Sequence, residues 1–174
     1  MSDDLRGAAT AVLYACRVRG LKVATAESCT GGLVAGALTE IAGSSHVVDR
    51  GFVTYSNAAK QQMLGVPTDT LKTFGAVSRE TAEAMARGAL GNADADLVVA
   101  ITGIAGPGGG SADKPVGLVH FAAASRAGAL IYVEMRYGDI GRAQVRRKAV
   151  QQALAMLQEL AEKEVPHPPM EGES

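Results

Sequence analysis

The run Leu97-Val-Val-Ala-Ile-Thr102 limits the possible folds more than any other stretch of this chain. It is rich in β-branched residues, carries no charge and shows no apolar/polar alternation. That pattern describes a strand buried on both faces. Such a strand needs a packed layer on each side of its sheet, and helices are the usual layers.

The chain supplies them. A helix starting at Asp3 or Asp4 turns Leu5, Ala8, Ala9, Val12, Leu13 and Cys16 to one face, and Gly20 stops it. A short apolar strand, Leu21 to Ala26, leads through a polar corner into a helix predicted from about Thr30 to Glu40. Val47 to Tyr55 alternates enough to be a strand, read as central, and Ser56 caps a short helix carrying Lys60. A further short helix spans Thr68 to Phe74, and Ser78 opens one from Arg79 to Leu90 with Gly91 as its stop. Val116 to Ala124 and Ala129 to Tyr137 form an antiparallel pair around a tight turn at Ser125 to Gly128. Arg142 to about Lys163 is a long helix with one apolar stripe. The expected architecture is α/β: a single domain, residues 1–164, with a mixed β-sheet and helices on both faces, followed by a disordered tail at 165–174.

Composition matters mainly for what it excludes. A net charge of −1 gives no basic field for nucleic acid, and few aromatics with no Trp give no base-stacking surface. The apolar runs are too short to span a bilayer, and the N-terminus lacks the basic region of a signal peptide. Neither nucleic acid nor membrane is therefore an expected partner, and a cytoplasmic location is expected. His46, His120 and His167 are scattered, and no C-x-x-C or H-E-x-x-H spacing occurs, so no metal or other cofactor is expected.

Chemistry concentrates at the corner Glu27-Ser28-Cys29-Thr30-Gly31-Gly32. A serine between a strand and a helix is presented at the sheet edge, beside amides of the first helical turn that would stabilise an oxyanion. The same residues also read as a plain cap, with Ser28 or Thr30 starting the helix and the glycines permitting the turn. The second candidate is Gly103-Ile-Ala-Gly-Pro-Gly-Gly-Gly110, following the buried strand. It lacks the Lys-Ser/Thr of a P-loop and the helix of a dinucleotide fingerprint. It is either a ligand loop at a strand's carboxyl end or a simple connection. A hydrolase without a usable histidine needs another base. Lys60, near Tyr55, Ser56 and Asn57, is better placed than Lys114 in Ser111-Ala-Asp-Lys114, and it also reads as a solvated helix lysine. Cys29 has no cationic neighbour in sequence to activate it.

Five blocks in order, Thr25-Ala-Glu-Ser-Cys-Thr-Gly-Gly32, Arg50-Gly-Phe-Val-Thr-Tyr-Ser-Asn57 with Lys60, Gly75-Ala-Val-Ser78, Thr102-Gly-Ile-Ala-Gly-Pro-Gly-Gly109 and Lys114-Pro-Val-Gly117, resemble the C-terminal domain of the competence/damage-inducible CinA family. The resemblance runs from about Thr25 to Leu154. The length leaves no room for that family's N-terminal molybdopterin-binding-like module, so a stand-alone form is expected. The resemblance implies hydrolysis of the carboxamide of nicotinamide mononucleotide, a small-molecule substrate, to nicotinate mononucleotide and ammonia in pyridine nucleotide recycling. It further implies a metal-independent Ser/Lys mechanism, with Ser28 as nucleophile, Lys60 as base and Tyr55 close by. Substrate binding is assigned to Glu27, Thr30, Gly31, Gly32, Thr102, Gly103, Gly106 and Gly108, with Arg142 and Arg146 suited to a phosphate. A homo-oligomer is expected. Asp139, separated from Arg142 by Ile140-Gly141, departs from the family's Gly-Asp-Arg order. The alternative is a non-catalytic nucleotide-binding or regulatory module linked to competence or DNA damage.

Overall fold

A computed structural model describes residues 1–164; the tail expected at 165–174 lies outside the described residues. The elements run α1 (Asp3–Arg17), β1 (Val23–Glu27), α2 (Leu33–Thr39), a 3-10 turn (Ser44–His46), β2 (Val48–Val53), α3 (Asn57–Leu64), α4 (Thr68–Phe74), α5 (Arg79–Asn92), β3 (Leu97–Gly103), β4 (Leu118–Ser125), β5 (Leu130–Arg136) and α6 (Arg142–Lys163). The five strands form one sheet in the order β2-β1-β3-β4-β5. β1 is parallel to both β2 and β3, whereas β3–β4 and β4–β5 are antiparallel. The mixed sheet and single α/β domain agree with the sequence reading.

The pleat sorts the core into two halves. Val23, Leu97, Val99, Ile101, Val119 and Phe121 face α1, α2 and α6, where large side chains fill the layer. On the other side Ala24, Ala26, Val98, Ala100, Ala122 and Ala124 leave a shallow surface, and α5 lies on it with its own alanines, Ala82, Ala86 and Ala89. Each large side chain so buried contributes roughly 1.5–3 kcal/mol. On this side α5 also packs tightly against α3. A Cβ placed on Gly88 would come within 1.9 Å of the Leu64 carbonyl oxygen. No side chain fits there.

Capping follows the serines. The Oγ atoms of Ser2, Ser56 and Ser78 accept from the amides of Leu5 (3.4 Å), Ala59 (3.0 Å) and Thr81 (3.2 Å). Three expectations need correction. β2 is an edge strand, as its exposed Arg50 and Gly51 suit, not a central one. α5 continues through Gly91 to Asn92, because a single glycine weakens a packed helix without ending it. α2 begins at Leu33 rather than near Thr30, for a reason that lies in the site itself.

Candidate active site

β1 ends at Glu27, whose carboxylate is fully buried and turns toward α2. Its Oε1 accepts from the Val34 amide at 2.9 Å, and its Oε2 accepts from Ala35 N–H at 3.1 Å and from the Thr25 hydroxyl at 3.2 Å. The helix is thus capped by a strand residue six positions ahead of it. Residues 28–32 form a separate turn, with Gly32 at φ 102° as the left-handed residue that admits the helix. The Thr30 hydroxyl is buried and has no hydrogen-bond partner among the described residues, so it caps nothing. The expected oxyanion donors in the first turn of α2 are correspondingly spent: two of them already hold Glu27.

Ser28, one residue further, lies on the opposite side of the sheet. There α3 delivers Lys60, whose Nζ is 2.9 Å from Ser28 Oγ, 3.0 Å from the Thr54 carbonyl oxygen and 3.3 Å from that of Tyr55. Lys60 is 1% exposed and Ser28 is 8% exposed. Burial lowers the Lys60 pKa, because desolvation disfavours the ammonium and, among the described residues, no carboxylate bonds to it. A neutral amine has two N–H donors and one lone pair. In the structure Lys60 Nζ donates to Ser28 Oγ; once the amine is neutral, the two carbonyls would satisfy its donors and leave the lone pair to accept from the Ser28 hydroxyl. Cys29 behaves differently: burial pushes its thiol up to about 12, so it stays protonated at neutral pH.

Ser28 and Lys60 open into a cavity of about 270 Å³ at the carboxyl ends of β1 and β3, where α/β sheets place ligands. Tyr55, Thr102, Gly103, Gly106, Gly108 and Arg142 also line it. Arg142 Nη2 donates to the Tyr55 hydroxyl at 3.0 Å, and its Nη1 donates to the Gly106 carbonyl at 2.9 Å, closing the rim. The Thr102 hydroxyl donates to the Ala76 carbonyl at 2.7 Å. The glycine loop is no loose connection. Ile104 N–H donates to Leu118 O and Gly117 N–H to Ile104 O, extending the β3–β4 hairpin around the cavity.

Glu27, Thr30, Gly31, Gly32 and Arg146, expected among the substrate contacts, do not line this cavity. Arg146 sits behind the corner, donating through Nε to Cys29 O at 3.1 Å and through Nη2 to Thr30 O at 3.4 Å. Asn57, Ala76 and Val77 line the cavity without having been predicted. The block Gly75-Ala-Val-Ser78 and the end of the block closing at Asn57 were the available signals. His46 is exposed, and Nδ1 of His120 is hydrogen-bonded to the Tyr132 hydroxyl at 2.6 Å. Lys114 donates to Phe74 O and does not pair with Ser111 as a base. Asp139 is exposed. Among the described residues no cluster of His, Cys, Asp or Glu has the geometry of a metal site. A larger groove, about 430 Å³ between α1, α2 and α6, is mostly apolar and contains no nucleophile–base pair.

Fold and site together define an α/β domain with a buried serine–lysine pair at the carboxyl edge of its sheet. Residues 6–161 match the family model described as the CinA C-terminal domain. The chain belongs to that family. It is 54% identical over 144 residues to the nicotinamide-nucleotide amidohydrolase PncC of Escherichia coli strain K12, covering 82% of this chain and 86% of that protein. It is 58% identical over 119 residues to a CinA-like protein of Geobacter sulfurreducens, covering 68% of this chain but only 29% of that longer relative. The crystal structure of the competence/damage-inducible protein CihA of Agrobacterium tumefaciens superposes with a TM-score of 0.91 at 61% identity, covering 92% of this chain and 97% of that one.

Proposed function

We propose that this protein hydrolyses the carboxamide of nicotinamide mononucleotide to nicotinate mononucleotide and ammonia, within pyridine nucleotide recycling. The observation that carries the reading is the 2.9 Å contact between Lys60 Nζ and Ser28 Oγ at the floor of the cavity. The PncC relatives give the substrate.

Ser28 Oγ attacks the carboxamide carbon while its proton passes to Lys60 Nζ. The tetrahedral intermediate collapses with C–N cleavage, and the Lys60 proton leaves on ammonia. Water then attacks the resulting ester and gives a proton to Lys60, which returns it to Ser28 Oγ as nicotinate mononucleotide is released. Burial favours the neutral amine needed at the start of each half-reaction, and no metal takes part in these steps. Arg142, on the rim, is the phosphate contact, with Thr102 and the loop at Gly103, Gly106 and Gly108 along the nucleotide. Tyr55 orients Arg142 through its hydroxyl and Lys60 through its carbonyl.

A cytoplasmic location and homo-oligomeric assembly belong to the same reading, and sedimentation tests the second. Ammonia release from nicotinamide mononucleotide by purified protein tests the activity directly. Binding of the mononucleotide without ammonia release would instead mark a non-catalytic nucleotide-binding module.

A further inference from the structure

We propose that Arg146 is a positioning residue. It holds the Ser28 corner in the geometry of attack and takes no part in holding substrate.

Three observations carry this. Its guanidinium reaches from α6 to consecutive carbonyls of the corner, Cys29 O and Thr30 O, the two residues that follow Ser28. The turn is shaped to receive it: a Cβ on Gly31, which has φ +58°, would stand 3.2 Å from Arg146 Nη2. Arg142, one helical turn earlier, lines the cavity and Arg146 does not. Two arginines on one helix face therefore divide the work, one on the rim and one behind the nucleophile.

The corner needs such a hold. Upstream, Ser28 N–H is fixed on Ile101 O at 2.9 Å. Downstream, Gly31 N–H returns to Ser28 O at 3.0 Å and Leu33 N–H to Thr30 O at 2.9 Å, which ties the turn only to itself. Arg146 is the side chain that ties this stretch to α6. Its rigid fork meets both carbonyls at once, which a lysine ammonium on a flexible stem does not reproduce. Small displacements of a nucleophile cost rate far more than they cost binding.

The inference rests on reading Ser28 as the nucleophile, so its test uses two readouts. In steady-state hydrolysis of nicotinamide mononucleotide, Arg146→Ala should lower kcat about 10- to 100-fold while KM stays within about threefold. Phosphonylation of Ser28 by a fluorophosphonate should slow by a similar factor, read by intact mass. In that step Ser28 Oγ bonds phosphorus, fluoride leaves and the hydroxyl proton passes to the base. Arg146→Lys keeps the charge and loses the fork, and should recover only part of either rate. A KM rise at unchanged kcat would make Arg146 a substrate anchor and overturn the proposal. Undiminished phosphonylation would overturn it as well, as would rate losses matching the unfolded fraction seen by circular dichroism. Wild type that is phosphonylated on Ser28 but releases no ammonia fails the substrate reading alone, and the phosphonylation arm still decides Arg146. Failure of wild type to be labelled at Ser28 would end both.

Discussion

Lys60 is the residue whose replacement tests the most physics. Its amine meets two carbonyls and one hydroxyl, and among the described residues no carboxylate bonds to it. At its ordinary pKa of 10.5, roughly one amine in 3,000 would be neutral at pH 7. Each unit by which burial lowers that value multiplies the neutral fraction tenfold, ~1.4 kcal/mol per unit. The rate of ammonia release should therefore rise about tenfold per pH unit below the folded-state pKa of Lys60 and level off above it. Lys60→Arg keeps its proton throughout and should lose about 10²- to 10⁴-fold, as much as Lys60→Met. Stability carries the same signature with a definite sign. Below the folded-state pKa the amine is charged in both folded and unfolded chains, and the cost of burying that charge is fully present. As pH rises from there toward 10.5, the folded chain binds fewer protons than the unfolded one, so stability rises. Wild type should thus gain Tm relative to Lys60→Met across that window. A flat pH–rate profile, a Lys60→Arg variant with a tenth of wild-type activity, or a constant Tm gap would refute the argument.

Ser28→Ala should abolish turnover while leaving mononucleotide affinity by calorimetry nearly unchanged, and hydroxylamine present during wild-type turnover should trap the hydroxamate of nicotinate mononucleotide. Arg142→Ala should raise KM about 10- to 100-fold, the loss of ~1.5–3 kcal/mol of charge-assisted hydrogen bonding, with kcat less affected. Gly88→Ala should cost ~1–3 kcal/mol or more in urea unfolding, since its methyl group would drive α5 away from Leu64. Activity should survive exhaustive chelation, and recovery of lost activity on adding a divalent ion would count against the mechanism.

The parts of the fold that the sequence made legible are those set by local pattern. The charge-free run of β3, the β4–β5 pair and the stripe of α6 each announce themselves over a few residues. The start of α2 is hidden in the sequence because Thr30 resembles a cap, while the actual cap, Glu27, acts from within a strand. No local rule anticipates that. The rank of β2 in the sheet depends on strand order, which local pattern does not encode, although Asp49 and Arg50 within the strand hinted at an edge. Corner chemistry singles out Ser28, the need for a base other than histidine singles out Lys60, and the resemblance assigns a role to each. Their contact spans 32 positions and exists only because α3 returns along the face that Ser28 occupies. Spacing along α6 puts Arg146 on a face with Arg142 but does not say what each end of that face meets: Arg142 reaches Gly106 O and Arg146 reaches Cys29 O.

The pleat at the end of β1 assigns adjacent residues to opposite layers, Glu27 to α2 and Ser28 to Lys60. A one-residue insertion between Val23 and Ser28 would carry Glu27 to the place of Ser28 and take the cap away from α2. The carboxylate would arrive opposite Lys60 and lock the amine in its charged form. Substitutions can therefore explore this strand while an added residue cannot, because it would remove the helix cap and the neutral amine together.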